Sequence, residues 1–75
     1  MPALPVISGR HARRAFEKLG WRFDRQKGSH MILVKEHVRV NLSIPDHREL
    51  DRGFLRGLIR DAGCSVDQFT DALHQ

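Results

Sequence analysis

The sequence predicts an α+β fold, in which a helix, three strands and a second helix follow in order, with a short third helix at the C-terminus. Segments with helical apolar spacing lie towards both ends of the chain, and alternating apolar and polar residues lie between them. Strands joined by short turns favour an antiparallel sheet, and two amphipathic helices then cover one of its faces. With 75 residues we expect one domain over residues 1–75, whose other sheet face is free for a ligand or partner.

The first helix is predicted over about residues 9–19. Ser8 is a suitable N-cap, and Gly20 is a suitable stop signal. The apolar positions recur at three- and four-residue spacing, at Ala12, Ala15, Phe16 and Leu19. The opposite side of the same helix is basic, with Arg10, Arg13, Arg14 and Lys18.

A β-hairpin is predicted next, from residues 21–26 and 30–35 around the turn Lys27-Gly28-Ser29. The first of these segments alternates apolar and polar residues, which is typical of a strand. We expect Trp21 and Phe23 to lie in the core under the first helix. The second segment is apolar at four consecutive positions, 31–34, so the sequence leaves open which of its side chains face the helices.

A third strand is predicted over residues 38–44, where apolar Val38, Val40, Leu42 and Ile44 alternate with polar residues. Pro45 is expected to end this strand, because proline has no backbone N–H to donate. A polar loop follows at residues 46–50.

The second helix is predicted from Phe54 to Ala62 and is closed by Gly63, with an arginine stripe on its outer side. Ser65 and Gln68 have the spacing of a capping box, which predicts the start of the short third helix.

Positive charge is concentrated in the first half of the chain. Residues 1–35 contain eight Lys and Arg against two Asp and Glu, whereas the remaining residues carry a net charge of −2, so the formal net charge is +4. A basic half of this kind is typical of a surface that meets a polyanion or an acidic protein.

The sequence also excludes several classes of protein. The longest apolar runs are far shorter than the roughly 18 residues of a membrane span, and the N-terminus has no apolar signal-peptide core, so we expect a cytoplasmic protein. Cys64 is the only cysteine, which excludes an intramolecular disulfide and a multi-thiolate zinc site. We expect it to be a half-buried residue after a helix end rather than a catalytic thiol.

Five stretches of the chain resemble the HicA family of small bacterial toxins. They are LPVISGR (4–10), LGW (19–21), RQKGSHMIL (25–33), IPDHREL (44–50) and RGFLRGLIRDAGCS (52–65). The specific part is RQKGSH followed by an apolar strand and a proline-histidine loop. Together these stretches extend over almost the whole chain.

This resemblance implies a fold similar to the double-stranded-RNA-binding domain, α-β-β-β-α. It also implies the toxin of a type II toxin-antitoxin system, which cleaves mRNA independently of the ribosome and so inhibits translation and growth. A HicB-like antitoxin is the implied partner and is expected to cover the active site. The second helix starts with LDRGFLRG rather than the lysine cluster of duplex-binding domains, so single-stranded mRNA is the expected substrate.

His30 is the catalytic residue that the resemblance implies, because it is the histidine of the glycine-serine-histidine turn. Histidine has an unperturbed pKa of about 6.5, so it can accept and donate a proton near neutral pH. Positive charge must also stabilise the phosphate during cleavage. The candidate groups that bind RNA phosphate are Arg22, Arg25, Lys27, Gly28, Ser29 and Lys35.

One histidine cannot make both proton transfers at once, so a second group is required. His47, in the loop after Pro45, is the candidate second acid or base, although a purely structural role in that loop is the alternative. The other three histidines have no helical partner or carboxylate at metal-ligand spacing. No metal and no other cofactor are therefore expected.

Two other readings of the same residues stay open. The first is a non-catalytic RNA-binding module in which the basic helix face and the strand turn bind phosphates. The second is a protein-interaction domain whose free sheet face or basic face binds an acidic partner. RNA that is bound but stays intact would indicate the first alternative, and a chain without RNA affinity would indicate the second.

Overall fold

The computed structural model describes residues 4–75 and shows the predicted α+β arrangement. The elements are α1 (Gly9–Lys18), β1 (Arg22–Lys27), β2 (His30–Val34), β3 (Leu42–Pro45), α2 (Arg52–Ala62) and α3 (Val66–Leu73). The strands form one antiparallel sheet in the order β1-β2-β3. The predicted fold class, including the short C-terminal helix, is confirmed. No helix in the described part of the chain has the length and apolar character needed to cross a membrane.

The helix caps predicted from the sequence are present. The Ser8 hydroxyl accepts a hydrogen bond from the backbone N–H of His11 at 3.0 Å and caps α1. Ser65 and Gln68 form a complete capping box at the start of α3, with both reciprocal hydrogen bonds made. These local signals alone therefore determine where α1 and α3 begin.

The helix α2 begins two residues earlier than the apolar pattern predicts. Asp51 supplies the cap, because its carboxylate accepts a hydrogen bond from the Phe54 backbone N–H at 3.0 Å. Gly63 ends the helix in the left-handed conformation, with φ of +74°.

The core lies between the sheet and the three helices. Phe16 of α1 and Phe69 of α3 are both fully buried, and their ring centroids are 4.8 Å apart. Trp21 belongs to this core and Phe23 packs against it, as predicted. The sheet contributes Met31 and Leu33 from β2 and Leu42 and Ile44 from β3. The third helix is therefore an integral part of the core.

The burial pattern of β2 resolves the orientation that the sequence left open. Met31 and Leu33 belong to the core cluster, whereas Ile32 does not. Since successive strand residues point to opposite faces, His30, Ile32 and Val34 lie on the face away from the helices. His30 is exposed there.

The third strand is shorter than predicted. Its pairing with β2 covers Leu42–Pro45 and not residues 38–41, so the prediction was wrong for the first half of this strand. Val38 and Val40 are 37% and 49% exposed instead of facing the core.

The reason is a mismatch between the turn after β2 and the sheet. The turn closes when the Val38 N–H donates to the Lys35 carbonyl at 3.1 Å. A regular hairpin continuing from that turn would bring Val40 opposite Leu33. The sheet instead pairs Leu33 with Leu42, so the segment between the turn and β3 is two residues too long to continue the ladder.

Candidate active site on the outer face of the sheet

The candidate site lies on the side of the sheet that the helices leave uncovered, which we call the outer face. Residues that are directly opposite in antiparallel strands point to the same face, so the pairing assigns the members of this face. They are Arg22, Arg25 and Lys27 of β1, His30, Ile32 and Val34 of β2, and Ser43 and Pro45 of β3.

A β-bulge aligns the three cations of β1. The register shifts between Phe23 and Arg25, so Asp24 is the additional residue. Strict alternation from Phe23 would turn Arg25 and Lys27 towards the helices, but the shift brings them to the outer face with Arg22. The cations then follow one another at intervals of about 7 Å along the strand.

Two of these three cations carry an uncompensated charge. Arg25 forms an ion pair with the adjacent Asp24, whereas no ion pair within residues 4–75 involves Arg22 or Lys27. Lys27 lies directly opposite His30 in the β1–β2 pair. A positive charge is therefore available at the position next to the exposed imidazole.

The turn before His30 is formed by Gly28 and Ser29. Gly28 has φ of +59°, and a positive φ of this kind is needed at the first position of a two-residue hairpin loop. Both residues are exposed, and no atom of a described residue beyond 27–29 lies within 4 Å of the position that a Cβ on Gly28 would take. A phosphate can thus approach the turn backbone closely.

Lys35 lies near Arg22, at the end of the β1–β2 pair that is farther from His30. It follows β2, about 16 Å along the chain direction from His30. Its Nζ donates to the Leu19 carbonyl at 3.0 Å and lies 5.9 Å from the centroid of the Trp21 ring. The side chain therefore has a structural role at the C-terminal end of α1.

The basic side of α1 is also largely engaged in structural contacts. The Arg13 Cζ lies 4.0 Å from the centroid of the Phe23 ring, and the same guanidinium forms an ion pair with Glu17. The Lys18 Nζ donates a hydrogen bond to the Ala72 carbonyl of α3. Arg14 is exposed, and the part of the chain that the structure describes contains no ion-pair partner for it. Most of the charge predicted on this helix is thus not free to bind a ligand.

The loop that carries His47 is fastened to the start of α1. The Gly9 N–H donates to the His47 carbonyl at 2.9 Å, and the Leu50 N–H donates to the Ile7 carbonyl at 2.8 Å. His47 itself is exposed. Since Pro45 is paired with His30, and His47 is two residues further on, the two histidine Cα atoms lie within about 12 Å of each other.

Asp46 connects this loop to both α1 and the turn, a connection that sequence reasoning missed. Its backbone N–H donates to the Ser29 carbonyl at 2.7 Å. Its carboxylate accepts hydrogen bonds from Arg10 Nε at 3.0 Å and Nη2 at 3.3 Å. The hydrogen bond from Arg10 lowers the pKa of the Asp46 carboxyl below its usual value. The sequence contained one indication of this connecting role, since Asp46 directly follows the last residue of β3.

Cys64 is half-buried after the end of α2, as predicted. Burial raises the pKa of its thiol, because the thiolate is less well solvated there. Within residues 4–75, no three His, Cys, Asp or Glu side chains are grouped so that they could hold a metal ion. Lys27 lies opposite His30 and the Gly28–Ser29 turn precedes it, and a cation with turn backbone amides suits an anion.

Comparison with known proteins identifies the family of the chain. A family model described as the HicA toxin of bacterial toxin-antitoxin systems matches residues 9–64 of the 75-residue chain. No curated protein matched the chain. The matched region runs from the first residue of α1 to the residue after Gly63, so it includes the whole sheet and the outer face. The chain therefore belongs to the HicA family of bacterial toxins.

Proposed function

We propose that this toxin is a metal-independent endoribonuclease that cleaves mRNA, with His30 as a general acid or base. The observation that carries the proposal is the position of His30, which is exposed on the outer face at the end of a strand and opposite Lys27. The solvent-open imidazole supports access by a ribose. A histidine enclosed beneath the helices would have contradicted it.

The proposed reaction is an attack of the ribose 2′-oxygen on the adjacent phosphorus. A base removes the proton of the 2′-hydroxyl, a new P–O bond forms, and the bond to the 5′-oxygen of the next nucleotide breaks. The leaving 5′-oxygen takes up a proton, so the products are a 2′,3′-cyclic phosphate and a free 5′-hydroxyl. His30 carries one of these proton transfers, and His47 is the candidate for the other, since their Cα atoms are within about 12 Å.

The cations of β1 are proposed to bind the phosphate backbone of the substrate. Lys27 stabilises the negative charge on the phosphate under attack, assisted by the backbone amides of the exposed residues Gly28 and Ser29. Arg25 and Arg22 then contact successive phosphates of the same strand, because they continue the line away from His30. Lys35 is left out of this set, because its ammonium group is bonded to α1.

The proposed partner is a HicB-like antitoxin that covers His30 and the cations around it. An antitoxin with carboxylates in its contact surface would match the charge of Arg22 and Lys27, which form no ion pair within residues 4–75. Addition of such a protein should prevent both RNA binding and cleavage, and the antitoxin should co-purify with the toxin.

The test is cleavage of a labelled mRNA fragment by the purified toxin in the presence of EDTA. We expect products with cyclic phosphate or 3′-phosphate ends from the wild type and none from His30→Ala. His37→Asn is the matched control, since it also removes an exposed histidine, and asparagine tolerates the φ of +66° found at that position. The control should cleave like the wild type.

Two results would contradict the proposal. Cleavage by His30→Ala at the wild-type rate would exclude this histidine from the mechanism. RNA that binds to the wild type in a strongly salt-dependent way but stays intact would indicate a non-catalytic RNA-binding module instead.

A further inference from the structure

On the β3 side, the backbone that precedes His30 is held by a single terminal hydrogen bond, from the Asp46 N–H to the Ser29 carbonyl. In an antiparallel ladder, hydrogen-bonded and non-hydrogen-bonded pairs alternate. The bond from the Asp46 N–H to the Ser29 carbonyl makes this pair a bonded one, so His30 and Pro45 form a non-bonded pair. Proline has no N–H, and it is tolerated at this position for that reason.

His30 therefore lies between two bonded pairs. One is the pair of Met31 and Ile44 inside the sheet, and the other is the pair of Ser29 and Asp46 at its end. The inner pair is secured by the buried core. The outer pair has no core beneath it, since Ser29 is exposed and Asp46 is only partly buried.

The outer pair is secured instead by contacts with α1, which are the hydrogen bond from the Gly9 N–H to the His47 carbonyl and the ion pair between Arg10 and Asp46. The side chain of Asp46 accepts two hydrogen bonds from Arg10, at 3.0 and 3.3 Å, while its backbone N–H bonds to Ser29. The two-point contact with the planar guanidinium restricts the orientation of the carboxylate. Asp46 thus links a rigid helix to the peptide unit directly before His30.

We propose that Arg10 and Asp46 are positioning residues, which hold the turn so that the His30 imidazole meets the scissile phosphate in a fixed orientation. This inference rests on the proposed function for its effect on catalysis. Neither residue is among the members of the outer face, and both act through the backbone of Ser29. A misplacement of the imidazole of about 1 Å is sufficient to reduce the rate by up to about a hundredfold.

Two measurements on Arg10→Gln test the proposal, with Arg14→Gln as the matched control. Both variants lose one positive charge from the exposed side of α1, but Arg14 has no ion-pair partner within residues 4–75. For Arg10→Gln we expect kcat for RNA cleavage to fall about tenfold with KM close to that of the control. The exchanged pair Arg10→Asp with Asp46→Arg should recover most of the lost kcat.

The second measurement does not depend on catalysis. Amide hydrogen exchange observed by NMR should show faster exchange of the Asp46 N–H in Arg10→Gln than in the wild type, because this N–H is the donor to Ser29. In Arg14→Gln the exchange should be unchanged. If the proposed nuclease activity is absent, this difference in exchange should still be found.

Three outcomes would overturn the positioning role. These are unchanged exchange of the Asp46 amide in Arg10→Gln, an unchanged kcat in a wild type that does cleave RNA, and failure of the exchanged pair to restore kcat. In the second of these cases, an increase in KM would indicate direct contact between Arg10 and the RNA.

Discussion

Replacement of Gly9 by alanine tests the close contact between α1 and the loop after β3. A Cβ on Gly9 would lie 1.9 Å from the carbonyl oxygen of Pro45, whereas Cβ atoms essentially never come closer than 3.0 Å to such a neighbour. The loop or the helix must therefore move by at least the difference, 1.1 Å. The neighbour is backbone at the end of a strand, so a simple change of rotamer does not relieve the contact.

The expected loss of stability follows from that displacement. Forcing additional volume into a well-packed contact costs about 1–3 kcal/mol. The movement also breaks the hydrogen bond from the Gly9 N–H to the His47 carbonyl, which contributes about 1 kcal/mol. The free energy of unfolding should fall by about 2–4 kcal/mol, out of a total of roughly 4–11 kcal/mol for a domain of 75 residues. This loss corresponds to a decrease in Tm of about 10–30 °C.

The assay is thermal and urea unfolding followed by circular dichroism, with Gly57→Ala as control. Gly57 lies inside α2, and the nearest atom to an added Cβ is Arg60 Nη2 at an ordinary 3.7 Å. Alanine should therefore stabilise the protein there, by about 0.5–1 kcal/mol, because glycine loses more backbone freedom on folding. The same substitution thus has opposite effects in two helices. A Gly9→Ala protein as stable as the wild type would refute the contact.

Three further predictions concern single groups. Ser65→Ala should lower the free energy of unfolding by about 1 kcal/mol in urea titrations, because it removes the cap that accepts from Gln68; an unchanged midpoint would show that the cap contributes nothing. Cys64 should react with iodoacetamide more slowly at pH 8 in the folded than in the urea-unfolded protein, since burial raises its thiol pKa; equal rates would contradict this. The lowered pKa of Asp46 predicts stabilisation that is present above the unfolded pKa of about 3.9 and is lost as pH falls through the folded value. Unfolding titrations between pH 6 and 2 should therefore show a smaller loss in Arg10→Gln, and an equal loss in both proteins would show that the ion pair is not the cause.

Much of the fold follows from local patterns in the chain. The start of α1 at its Ser8 cap, the capping box of α3 and the core position of Trp21 were all predicted correctly. Each of these depends on a few neighbouring residues or on helical spacing, and such signals are present in the sequence itself.

The third strand shows where local patterns fail. Alternating residues predicted a strand from Val38, but the turn that closes at Lys35 and the pairing of Leu33 with Leu42 are out of step by two residues. Val38 and Val40 have high strand propensity, but β2 offers no residues in register with which they could pair. Pairing between distant residues decides which part of such a segment becomes a strand.

In the candidate site, too, some features follow from the sequence and others only from the fold. The resemblance of the turn at His30 to the HicA family, and the surplus of positive charge before residue 36, are properties of the sequence. The chemistry of the residues did not distinguish Lys35, which contacts the end of α1, from Lys27, which lies beside His30. Only contacts between elements separate a structural lysine from one available to a ligand.

The sequence by itself determined the order of the elements, the caps of α1 and α3, the basic half of the chain and the histidine that resembles a catalytic residue. The tertiary structure decided that His30 points away from the helices and that a bulge at Asp24 turns Arg25 and Lys27 to the same face. It also decided that Asp46 joins α1 to the turn. The physical reason is that hydrophobic periodicity is a local property, whereas the face that a strand buries depends on which distant residues pack against it.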